Sequence, residues 1–216
     1  MTTEANGESR APLTRELVLR VATAIADRAG IEALSMRKVG QELGVEAMSL
    51  YNHVANKDDL LDGMLDVLVG QIEPPVSGGD WKAALRERAL AARALLGRHP
   101  WAPRIITSHP KIRMGPAMVR YMDAIAGCLV QAGFSWELVH HAMHLLGTRM
   151  LGYMQDPLDA GDRVLQMLAI PQREIPTSEY PYLTQMLRQS YHDEEAEFAF
   201  GLDLILEGLE LLRKAQ

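Results

Sequence analysis

The stretch Leu34–Lys57, LSMRKVGQELGVEAMSLYNHVANK, holds the densest set of side chains able to act together. Its spacing predicts a helix, a tight turn at Gly44 and a short helix from about Glu46 to Val54. Val39, Leu43, Val45, Leu50 and Val54 are the apolar anchors. Gly40, lacking a side chain where the two helices would cross, allows close approach. In a helix-turn-helix the second helix enters the major groove and its first residues meet base edges. Here those residues are Ala47, Met48 and Ser49, with Asn52 one turn further on. Tyr51 and His53 can hydrogen-bond phosphate oxygens, and Lys57 adds a mobile positive charge. Arg37, in the first turn of the preceding helix, can reach the backbone or a base. Ala47 and Met48 would act by contact with thymine methyls or by exclusion. Few of these side chains can make bidentate base contacts, so modest specificity per half-site and two half-sites are expected. The same pattern occurs in plain helical bundles, where such anchors only fill a core.

A second group lies further along. Glu137, His140 and His144 recur at i, i+3, i+7 and could share a helix face, as metal ligands would. No cysteine or second carboxylate–histidine pair is matched to them, and they serve equally as polar positions in a ligand pocket or at a subunit seam. Neither a metal nor a cofactor is expected. Among the twelve methionines, Met114, Met118 and Met122 fall at i, i+4, i+8, and Met143, Met150 and Met154 lie on the next long helix. Methionine adapts to an irregular apolar cavity, and it also fills ordinary cores.

The elements that must position these groups all read as helical. Val18, Val21, Ala22 and Ile25 give helical spacing, with Thr14 as N-cap and Gly30 past the end. Ser35 would cap the second helix. Asn56 would cap a fourth, with Asp58 and Asp59 in its first turn, running on to Pro74-Pro75. PPVSGGD (74–80) is the clearest linker. Further helices are expected near Trp81–Arg98, Lys111–Ala132, Trp136–Gln155 (capped by Ser135), around Arg163–Ala169, and near Asp193–Lys214. No hairpin signal indicates strands. The expected fold is all-α: a flexible segment 1–12, a three-helix DNA-binding head 13–56, a connecting helix 57–75, and a helical effector-binding and dimerisation domain 80–216.

Composition narrows the class. The 216 residues are 48% hydrophobic and 23% charged, which fits a folded globular chain. No apolar run is long enough to span a membrane, and the polar start MTTEANGESR does not read as a secretion signal. The single cysteine, Cys128, fits a reducing, cytoplasmic setting. Net charge is −6, but Arg10–Lys57 carries seven Lys/Arg against five Asp/Glu while Asp58–Gln216 carries fifteen against twenty-one. A mildly basic head on an acidic body permits nucleic-acid binding by the head alone.

Residues Leu13 to about Leu65 resemble the DNA-binding head of the TetR (tetracycline-repressor) family of bacterial transcriptional regulators. The match is densest in LSMRKVGQELGV and SLYNHVANKDDLL, above all in Leu50–Lys57. Trp81, Arg93–Pro100, Gly133-Phe134-Ser135 and the terminal FAFGLDLILEGLELL are similar to the tetracycline-repressor type of C-terminal domain. The resemblance implies a homodimer that binds a double-stranded DNA operator and answers to a small-molecule effector. It carries base or groove contacts onto Arg37, Ala47, Met48, Ser49 and Asn52, and phosphate contacts onto Tyr51, His53 and Lys57. Met48 and Asn52 depart from other members, so the operator does not transfer. It places Arg88, Ile105, Ser108, Met122, Ile125, His140, Met143, His144 and Thr148 around the effector. The histidine that helps hold magnesium–tetracycline in relatives falls on Ile105 here, and a nearby acidic position on Asp156. A tetracycline–magnesium ligand is therefore not expected, and the pocket reads as largely apolar. Arg88 could pair with an anionic ligand group or form a surface salt bridge.

The apolar stripes of Trp136–Gln155 and Asp193–Lys214 could build a four-helix bundle with a second subunit, or be satisfied within one chain. Gly147, Gly152, Gly201 and Gly208 weaken these helices, which points to close helix contact. In the dimer, two recognition helices would sit about 34–36 Å apart over a near-palindromic operator, and the effector would favour a different separation. The sequence lacks G-x-S-x-G, G-x-x-x-x-G-K-[ST], H-E-x-x-H and G-x-G-x-x-G motifs, so an enzyme is not expected. The rivals are a helical metal-dependent hydrolase built on His140 and His144, and a protein-binding helical adaptor.

Overall fold

The computed structural model describes residues 12–76, 78–108, 113–154, 180–182, 184–185 and 193–216. All regular structure among the described residues is helical, in line with the all-α expectation. The chain divides into two compact units, one of residues 1–72 and 98–121, the other of 73–97 and 122–216. This grouping differs from the linear division near residues 75–80, because residues 98–121 group with the head.

In the first unit, α1 (Arg15–Ala29) starts where the Thr14 hydroxyl oxygen accepts the Leu17 N–H, and it ends at Gly30 with φ +80°. Its buried face of Val18, Leu19, Ala22, Ile25 and Ala26 meets α4 (Lys57–Val69), which buries Leu60, Leu61, Met64, Leu65 and Leu68. The helices are close at Gly63, where an added Cβ would come within 2.7 Å of the Leu19 side chain. After a 3-10 turn (Ile31–Ala33) come α2 (Met36–Leu43) and α3 (Ala47–Leu50). α3 is shorter than expected. Beyond Leu50 the amides of Tyr51, Asn52 and His53 bond to carbonyls three residues back, so the segment tightens into turns. α4 stops at Val69 instead of running to the prolines, since the amides of Gln71 and Ile72 bond only three residues back, to Leu68 and Val69.

The sequence reading has no counterpart to α6 (Trp101–Ser108). Pro100 precedes it and Pro103 lies in its first turn, where proline is tolerated because its missing N–H has no intrahelical partner. The start of α6 is tied to α1: Trp101 Nε1–H donates to Asp27 Oδ1 at 2.6 Å, and His99 Nδ1 lies 2.7 Å from the same oxygen. Helix α7 (Pro116–Gln131) begins later than expected, at a proline in the first helical position. Asp66 of α4 accepts the Ala117 N–H at 2.7 Å there.

The second unit holds α5 (Trp81–Gly97), the part of α7 from Met122, α8 (Trp136–Met154) and α9 (Glu194–Lys214). Its core joins Trp81, Leu85, Cys128, Leu129, Phe134, Leu138, Val139, Ala142, Phe198, Leu202, Leu206 and Leu209. Trp81 meets Phe134 edge-on, centroids 4.8 Å apart. Ion pairs fasten α9 to α5: Arg86 to Asp203 at 2.7 Å and Lys82 to Glu207 at 2.7 Å. Asp193 caps α9, accepting the amides of Glu195 and Ala196. At the far end, Arg213 and Lys214 hold the Glu210 carboxyl down to about 2. Burial raises the Cys128 thiol, as suits a core residue. The expected segment 1–12 lies almost wholly outside the described residues, and the helix around Arg163–Ala169 and Asp156 lie entirely outside them.

Candidate functional site

The helix-turn-helix geometry is set by a few local bonds. The Ser35 hydroxyl oxygen accepts the Lys38 N–H at 3.2 Å and starts α2. Gly44 adopts a left-handed conformation at φ +63°, which lets the chain reverse without Cβ strain. The Val45 N–H then returns to the Gly40 carbonyl at 2.9 Å. A Cβ on Gly40 would sit 2.8 Å from the Val45 carbonyl oxygen and 3.3 Å from the Ala47 Cα. The missing side chain is therefore what lets α3 lie across α2. Leu50 and Val54 are buried beneath the segment, at 0% and 1% exposure.

What these anchors leave outside is the candidate surface. Met48 is 75% exposed and Tyr51 45% exposed, although burial would favour both. Arg37, Asn52 and Lys57 are exposed, while Ala47, Ser49 and His53 are half-buried. The structure thus places all the expected DNA-contact residues on α2, α3 and the turn into α4. Other head cations are engaged within the unit: Arg28 and Lys38 both pair with Glu42.

Two positioning residues escaped the sequence reading. Arg15 of α1 donates to the His53 carbonyl at 2.8 Å and to both Asp59 carboxylate oxygens at 2.7 and 3.0 Å. Asp59 also accepts the Ala55 N–H, while Asn56 accepts the Asp59 N–H at 2.9 Å. This fixes the 53–57 turn, with His53 and Lys57, against α1. The Arg15 hydrogen bond lowers the Asp59 pKa, and Asp59 in turn raises that of Arg15. The N-x-x-D spacing of a capping box was the local signal; the Arg15 contact, 44 residues away, left none.

The expected effector residues are shared between the two units. Ile105 and Ser108 lie on α6 in the first unit, where Ile105 is buried at 4% exposure. Arg88, Met122, Ile125, His140, Met143, His144 and Thr148 belong to the second unit. Ile125 and Met143 pack against its core, and Met122 is half-buried. The Arg88 side chain is only 16% exposed, and its guanidinium pairs with Glu73 at 3.2 Å and Glu87 at 2.9 Å. Both carboxylates are largely exposed. His140, His144 and Thr148 are exposed on α8. The His140 and His144 rings stack with centroids 6.0 Å apart, and Thr148 donates to the His144 carbonyl at 2.8 Å. Among the described residues no three His, Cys, Asp or Glu side chains are grouped to hold a metal ion, Glu137 included. No helix among them is long and apolar enough to cross a membrane.

Residues 18–64 match the family described as Bacterial regulatory proteins, tetR family, and residues 73–213 match the Tetracyclin repressor-like, C-terminal domain. The chain is 32% identical over 220 residues to the HTH-type transcriptional repressor DrrR1 of Streptomyces coeruleorubidus, covering 94% of this chain and 81% of that protein. It is 26% identical over 205 residues to the tetracycline repressor protein class D of Escherichia coli, covering 93% and 91%. The fold superposes on the Streptomyces coelicolor TetR family protein ActR in complex with actinorhodin with a TM-score of 0.78. That match is 28% identical and covers 92% of this chain and 96% of that one.

Proposed function

Because the chain belongs to the tetR family of bacterial regulatory proteins, we propose that it acts in the cytoplasm as a homodimeric, ligand-released repressor of a near-palindromic operator. One observation carries the DNA side: the Gly40-permitted crossing that buries Leu50 and Val54 while leaving Met48 and Tyr51 in solvent. In the major groove, Ala47, Met48, Ser49 and Asn52 would meet base edges, Arg37 a base or phosphate, and Tyr51, His53 and Lys57 the phosphates.

The second copy is argued from α9. Phe200, Leu204 and Leu211 are 65%, 59% and 70% exposed, and with Gly208 they follow i, i+4, i+8, i+11 spacing along one face. Leu145 of α8 is 48% exposed, and an added Cβ on Gly147 or Gly208 would meet nothing within 4 Å. Apolar faces of this size favour burial against another helix pair, as in a four-helix dimer seam.

The effector is a small, largely apolar molecule held by second-unit residues including Met122, Ile125 and Met143. The relative ActR, solved in complex with actinorhodin, supports a small-molecule ligand for this body. Ile105 supplies no metal ligand at the position where the family resemblance would require a histidine. Arg88 is paired with Glu73 and Glu87, the salt-bridge alternative, so its charge is met without an anionic group on the ligand. The effector releases DNA to the extent that it binds the non-operator conformation more tightly. No reaction is assigned, since the relatives are regulators.

The test is binding of the purified protein to DNA flanking its own gene, titrated with salt against an unrelated duplex. The expected result is tight binding that prefers the flanking DNA and weakens linearly in log–log salt. Weak binding, equal on both duplexes, would contradict the reading.

A further inference from the structure

Helix α8 carries three histidines that neither the DNA surface nor the core of the second unit uses. Leu138, Val139 and Ala142 are buried in that core, which turns His140, His141 and His144 outward into solvent. Neither the His140 nor the His144 ring has a hydrogen bond or ion pair among the described residues. What these two rings meet is each other: they stack 22° from parallel, with centroids 6.0 Å apart. His141 stands differently, at 68° to the His140 ring.

Two neutral imidazoles four residues apart on one helical face are a preformed chelate for a transition-metal ion. Four residues advance a helix by about 6 Å, which matches the ring separation. A tetrahedral ion with bonds of about 2.0–2.1 Å to one nitrogen of each ring would hold the centroids about 5 Å apart. Small χ rotations close the pair by that much, and both rings are exposed with room to make them. Imidazole nitrogen suits Cu²⁺, Ni²⁺ and Zn²⁺, whereas Mg²⁺ and Ca²⁺ take oxygen ligands. Glu137, exposed about one turn before His140, adds a negative charge that favours a bound cation from outside the pair. We propose that His140 and His144 together bind one divalent transition-metal ion per chain through their ring nitrogens, with water in the remaining positions. The site is distinct from Ile105, which belongs to the other unit and supplies no metal ligand.

The experiment is calorimetric titration of the tag-free, chelator-stripped protein with Cu²⁺, Ni²⁺, Zn²⁺ and Mg²⁺ salts, each alone. Wild type should show a site of one ion per chain, tightest for Cu²⁺ and closed to Mg²⁺. His140→Ala and His144→Ala should each weaken that site at least about tenfold, because one imidazole is left without its chelate partner. His141→Ala should bind as wild type does. All three positions are exposed within a helix, where alanine is the better helix former, so the variants keep the fold. Thermal unfolding gives a second readout: Ni²⁺ should raise the Tm of wild type and His141→Ala and leave the other two unmoved. No uptake by wild type, uptake that survives both paired substitutions, or an equal loss in His141→Ala would each overturn the site. None of these outcomes bears on operator binding, which the salt titration tests separately.

Discussion

The glycines of the two units behave in opposite ways. In the first unit an added Cβ at Gly40 would strike the Val45 carbonyl oxygen at 2.8 Å, and at Gly63 the Leu19 side chain at 2.7 Å. In the second, Gly127, Gly147 and Gly208 have nothing within 4 Å, and Gly201 meets the movable Arg149 guanidinium. The head is complete within one chain, its helices set by close contacts and short polar ties. The body leaves open helix faces beside exposed Phe200, Leu204 and Leu211. A surface built to read DNA must be rigid before DNA arrives, whereas faces left open are suited to meeting another molecule.

The largest expected effect comes from closing the gap at Gly40, whose nearest neighbours are main-chain atoms. Gly40→Val should cost about 1–3 kcal/mol through overpacking and reduce operator binding to the level seen with unrelated duplex. Thermal unfolding and a binding titration check both halves. By contrast, Gly147→Ala should leave an isolated protomer unharmed or more stable by about 0.5–1 kcal/mol, as alanine replaces a mid-helix glycine. A comparable loss of operator binding in both variants, with the dimer intact, would erase the distinction between the units.

Next in size is Leu204→Glu, which places a charge on the exposed face of α9. Sedimentation should show the dimer replaced by monomer, with operator affinity falling because the two half-sites are no longer held together. An unchanged dimer would mean that this face is not the seam.

A smaller effect belongs to the Arg15–Asp59 tie. The pair is about a third to two-fifths exposed, 43% for Arg15 and 33% for Asp59, so Asp59→Asn should cost only about 0.5–1 kcal/mol near neutral pH. Because the folded-state pKa of Asp59 is lowered, its contribution is present above the ordinary carboxylate value of 3.8 and is lost as pH falls through the folded value. The variant should therefore lose less stability than wild type on acidification below about pH 4, measured by chemical denaturation across pH.

Local signals explain what could be read from the sequence. Thr14, Ser35, Asn56 and Asp193 each cap a helix within three residues of their own position, so their chemistry is visible in a short window. The place of Met48 at the start of the second helix assigns it to the outer face, and its 75% exposure agrees with that position. Non-local contacts left no such trace. Asp27 gathers Trp101 and His99 from more than seventy residues away, and Asp66 meets Ala117 across 51. The late start of α7 and the presence of α6 depend on such ties. The effector residues were placed by resemblance, and the enclosure of Arg88 between Glu73 and Glu87 emerges only from the packing of the second unit.

The most direct test of the regulator reading is hydroxyl-radical footprinting of the protein on the DNA flanking its gene. The account predicts two symmetric protections, centred one helical turn of about 34–36 Å or a multiple of it apart, which disappear together with Gly40→Val. A single protected patch, or uniform weak protection along the duplex, would contradict it.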